Sequence, residues 1–73
     1  MDAREIFELI VRADERLKYA TEGNAALRRA QARELLERAR RAALEIGDPA
    51  LARQAELRLA DLGAEHRPGR DGP

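Results

Sequence analysis

The stretch Ala32 to Pro49, which reads ARELLERARRAALEIGDP, decides the fold. Its apolar residues Ala32, Leu35, Leu36, Ala39, Ala42, Ala43 and Ile46 recur at spacings of three and four, which predicts one buried face on a helix of 3.6 residues per turn. Charge fills the other side. Glu34 precedes Arg38 and Glu37 precedes Arg41 by four residues, the better orientation for pairing along a helix. The stretch then stops on three residues with separate tasks. Gly47 suits the left-handed position after a helix, Asp48 caps the next one, and Pro49 stands at a first helical position, where its missing N–H costs nothing. One helix ends and another begins within three residues, so the two are antiparallel neighbours.

Reading upstream, this second helix extends back to about Ala25, giving a span of 25–46. The segment Thr21-Glu22-Gly23-Asn24 breaks the pattern before it, with Gly23 expected in the left-handed position and Asn24 as the following cap. A first helix over about 3–20 starts at Asp2, with Glu5 completing a capping box. Its core stripe is Ile6, Ile10, Ala13, Leu17 and Ala20, with Leu9 beside it. Downstream, a third helix over about 49–62 carries Leu51, Ala52, Ala55, Leu59 and Leu62 on one face, and Gly63 is expected to stop it. Ala64 to Pro73 holds two Pro and two Gly with no apolar period, and reads as a flexible tail. The expected fold is therefore all-α: three antiparallel amphipathic helices in one domain over 1–63, followed by a disordered tail over 64–73. Because the core is rich in Ala, the packing should be thin and flat.

Composition limits the alternatives. A chain of 73 residues allows one domain at most, and about 60 ordered residues make a marginal core unless something else contributes. There is no Cys, which removes disulfides and thiolate zinc sites. At 44% hydrophobic and 38% charged, the chain is too apolar for disorder and too charged for a membrane span. No apolar run exceeds the length of Leu9-Ile10-Val11, and the opening Met1-Asp2-Ala3-Arg4-Glu5 does not resemble a signal peptide, so the expected location is the cytoplasm. Formal net charge is zero, whereas a protein devoted to gripping phosphates normally carries a clear positive excess.

Within the second helix the residues resemble a tetratricopeptide repeat (TPR). That family places Ala, a large apolar residue four positions on, and Ala three further, matched here by Ala32, Leu36 and Ala39. Gly47-Asp48 and Leu59-Ala60 resemble the turn and following helix of long-helix variants, so the likeness covers roughly residues 30–63. Three departures stand beside it. Reaching Leu59 requires a repeat about six residues longer than usual, Tyr19 to Gly23 does not carry the family's Leu-Gly-x-x-Tyr signature, and Glu56 sits where Trp is common. A three-helix domain of the microtubule-interacting-and-trafficking type is similar in length and layout. Both resemblances imply binding of a peptide or helix in a groove between helices.

Catalysis requires a nucleophile, an acid–base pair or a metal. The chain has no Ser and no Cys, Thr21 lies in a turn, and the sole His66 lies in the tail. The carboxylates Glu8, Asp14 and Glu15 are spaced like an ordinary solvated face. No enzyme activity, cofactor, metal or small-molecule substrate is expected. In the second helix, Arg28, Arg29, Arg33, Arg38, Arg40 and Arg41 outnumber Glu34, Glu37 and Glu45, six against three. A small nucleic-acid-associated regulator would set Arg29, Arg33 and Arg40 against phosphates, although no aromatic residues are interleaved for base stacking. The more informative residues are apolar ones off the core stripes. Leu44 falls nearly opposite the core face of helix two, Leu57 is similarly placed on helix three, Phe7 and Val11 lie at the edge of helix one's stripe, and Tyr19 points away from the core. These five are the expected partner or dimer interface. The function expected from the sequence is a noncatalytic helical protein–protein interaction module that self-associates as a homodimer; the other reading that remains, besides the nucleic-acid regulator, is a structural subunit of a larger assembly.

Overall fold

The computed structural model describes residues 1–65 as three helices, α1 (Ala3–Lys18), α2 (Ala25–Glu45) and α3 (Pro49–Glu65). Helix α1 starts on the expected capping box. The Asp2 carboxylate accepts the Glu5 N–H at 2.8 Å, and the Glu5 carboxylate accepts the Asp2 N–H at 3.0 Å. Two otherwise unpartnered donors are thereby satisfied at the first turn.

The connection between α2 and α3 also forms as the sequence predicts. Gly47 adopts φ 73°, the left-handed conformation that only glycine enters without strain. This turn lets the Asp48 N–H reach the Ala43 carbonyl at 2.8 Å and the Gly47 N–H reach the Leu44 carbonyl at 3.2 Å, which satisfies the last carbonyls of α2. Asp48 then caps α3 by accepting the Leu51 N–H at 3.1 Å, and Pro49 occupies the first helical position.

The other connection departs from expectation. Helix α1 ends at Lys18, two residues early, and Gly23 is not left-handed. Asn24 precedes α2 but makes no side-chain cap there; its Oδ1 turns back to accept the Thr21 N–H at 2.6 Å, while the Asn24 N–H donates to the Thr21 carbonyl at 3.2 Å. The chain reverses through this side-chain turn, so no left-handed glycine is needed. Gly63 does not end α3 either. The helix runs on to Glu65, because a glycine costs a helix only a fraction of its stability when nothing else stops it. Residues 64 and 65, expected in the tail, are therefore helical, and residues 66–73, His66 among them, lie outside the described residues.

Both outer helices pack on α2 and touch each other only sparsely. The backbone spans 40 × 25 × 13 Å. Three helices abreast at the usual 8–10 Å spacing need about 20–25 Å, so the arrangement is an open layer rather than a closed triangular bundle. The core holds Ile6, Leu9, Ile10 and Ala13 from α1, Ala32, Leu36, Ala39, Ala42 and Ala43 from α2, and Leu51, Ala52, Ala55 and Leu62 from α3. Leu17, Leu35 and Leu59 pack against it, half-buried. Two residues of the assigned core stripes fall outside the core: Ala20, which lies past the end of α1 and is half-buried, and Ile46. Ile46 lies one residue past the end of α2, where the chain turns away, and is exposed.

Two results are expected in equilibrium unfolding. Ala39 has no exposed surface, so Ala39→Leu should overpack the α2 crossing and cost about 1–3 kcal/mol. The glycines should divide by backbone. Gly47→Ala should destabilise by about 1 kcal/mol or more because of its positive φ, whereas Gly63→Ala, helical and with nothing within 4 Å of an added Cβ, should stabilise by about 0.5–1 kcal/mol.

Candidate interaction surface

Phe7 and Val11 are four residues apart on α1 and so lie on one face, one turn apart. They are 48% and 37% exposed, large for apolar side chains in a chain this small, and together they line a shallow depression with Arg4, Glu8 and Arg12. Arg12 also borders a second depression, formed with Glu15, Arg16, Tyr19 and Arg28. Tyr19, the C-cap residue of α1, is 63% exposed, and the Lys18 ammonium stands 5.6 Å from the centre of its ring. Phe7 and Val11 therefore share one depression on α1, and Tyr19, just past the end of the helix, lines a neighbouring one that meets it at Arg12.

The other two expected interface residues join neither. Leu44 and Leu57 are 54% and 52% exposed, but they stand on different helices. At 100° per residue Leu57 points roughly opposite the core arc of α3, and Leu44 lies roughly 130° from the centre of the core arc of α2. Three further large apolar residues are exposed: Met1 and Leu27, which were not singled out in the sequence, and Ile46, which was expected to be buried. Leu27 was detectable by the same phase argument, since it lies roughly 130° from the core arc of α2 on the side away from Leu44. Arg29, Arg33 and Arg40 share one flank of α2 and are half-buried.

The ion pairs differ from those the sequence suggested. Glu34–Arg38 and Glu37–Arg41 do not come within 4.0 Å; the one ion pair among the described residues joins the outer helices. Arg58 Nε donates to the two Asp14 carboxylate oxygens at 3.0 and 3.2 Å, and Arg58 Nη1 donates to the Gln54 carbonyl at 3.2 Å. Asp14 is thus an interhelical tie rather than part of a plain solvated face. Exposed pairs along one helix gain little in water and lose side-chain freedom, whereas Arg58 is held by a second hydrogen bond to its own helix. Among the described residues there is no cluster of three His, Cys, Asp or Glu that could hold a metal ion. No helix among them is long and apolar enough to cross a membrane.

No protein-family model, curated protein or solved structure matches this chain. The Phe7–Val11 depression on α1 is accordingly read from its own chemistry: an apolar centre about one helical turn long, flanked by charges of both signs, suited to the side of another helix.

The Asp14–Arg58 pair is partly exposed on both sides, so its coupling should be small. A double-mutant cycle with Asp14→Asn and Arg58→Gln should give less than about 1 kcal/mol, falling further at 1 M salt.

Proposed function

We propose that the chain is a noncatalytic helical interaction module that associates with itself as a homodimer. The observation that carries this reading is the pairing of Phe7 with Val11 on a wet face of α1, inside a domain with little to bury. Ala13, Ala32, Ala39, Ala42, Ala43, Ala52 and Ala55 make up seven of the thirteen buried apolar residues. An Ala core removes little area from water per residue, so a fold of this size gains from covering apolar surface in an assembly. A two-fold dimer needs only one self-complementary patch. In this reading the Ala32–Leu36–Ala39 pattern does what it does in TPR-like helix pairs, allowing close approach of neighbours, and the compartment is the cytoplasm.

A second reading rests on a different observation. Arg29, Arg33 and Arg40 share a flank of α2, and among the described residues no carboxylate lies within ion-pair distance of them. A nucleic-acid-associated regulator would use them, and its binding to nonspecific DNA would weaken steeply with salt.

Sedimentation equilibrium at micromolar protein separates the outcomes. The wild type should have the mass of a dimer, and Phe7→Glu with Val11→Glu should be monomeric while remaining helical. Dissociation only with Leu44→Glu and Leu57→Glu would move the contact to the outer faces. A wild type that is strictly monomeric and thermally stable would overturn the reading.

A further inference from the structure

The geometry points to one way of docking the second copy: α1 against α1 of that copy, antiparallel, about a two-fold axis near the middle of the helix. This rests on the self-association reading and adds orientation and register to it. Setting Phe7 against Val11 of the second copy, and by symmetry Val11 against Phe7, closes the apolar centre on itself. In such a pairing, residues whose numbers add to about 18 face each other.

The charges beside that centre fit the same register. Arg4, Glu8, Arg12 and Glu15 alternate in sign along one side of Phe7 and Val11. Antiparallel docking brings Glu8 beside Arg12 of the second copy and Arg4 beside Glu15, each within one or two positions of the Phe7–Val11 register. Parallel docking would instead carry this charged side of the second copy to the opposite edge of the contact, away from its counterpart. All four side chains are exposed, and none forms an ion pair with another described residue, although Arg4–Glu8 and Glu8–Arg12 have the spacing to do so. Helix α1 has 16 residues, roughly 24 Å of length, so the buried area falls in the small class and the dimer should be weak, in the micromolar range or looser.

Complementary charge reversal tests the register. Glu8→Arg and Arg12→Glu each place like charges opposite one another twice in the dimer, so each variant alone should self-associate about tenfold or more weakly than wild type at low salt. Mixing the two variants restores unlike charges at both positions, and the mixture should associate about as strongly as wild type in sedimentation equilibrium. If the wild type is dimeric but the single variants match it, or if mixing restores nothing, the α1 docking is wrong and self-association stands on another surface. If the wild type is itself a monomer, both readings fall.

Discussion

Close approach of α2 to both of its neighbours is the constraint on which the structure depends. Ala32, Ala39 and Ala43 are fully buried, and Leu36 is the one large side chain that α2 buries completely. Small residues at a crossing let helix axes come near, and the contact then comes from backbone and Cβ surfaces rather than from interlocking large side chains. Since the outer helices touch each other little, this seam holds them in place. The Asp14–Arg58 tie adds a link at the surface, between groups that water still reaches.

The seam has a cost that bears on function. A core built on alanine supplies limited burial, and an open layer of three helices leaves the outward faces of α1 and α3 without a neighbour. Those faces carry Phe7, Val11 and Leu57, which gain nothing from water. The economy of the core and the apolar character of the surface are therefore linked. The self-association proposed above would answer both, and the alternating charges beside Phe7 and Val11 are what would give it a direction.

What was legible in the sequence depended on locality. The Asp2–Glu5 capping box and the Gly47-Asp48-Pro49 turn were readable because every interaction in them closes within a few residues, and the core stripes because helical phase is fixed by spacing. Thr21 to Asn24 misled because Asn24 can serve two donors, the amides of α2 ahead of it or the Thr21 amide behind, and the sequence does not say which is nearer. Gly63 misled because a glycine permits a helix end without enforcing one. The Arg58–Asp14 pair spans 44 positions and depends on how α1 and α3 are set beside α2, which no local pattern encodes. In the candidate surface, phase marked Phe7, Val11, Leu44 and Leu57 as exposed. That Phe7 and Val11 line one depression while Tyr19 lines a neighbouring one, the two meeting at Arg12, is a matter of surface shape that phase alone does not give.

Native-state hydrogen exchange tests the role of α2 most directly, because it resolves stability residue by residue. If α2 is the shared wall, its amides between Ala32 and Ala43 should be the slowest in the molecule, exchanging only through global unfolding, while the ends of α1 and α3 open at lower free energy. Protection that persists in α1 or α3 under conditions where the middle of α2 already exchanges would contradict this, and would mean that the outer helices hold the fold without the alanine seam.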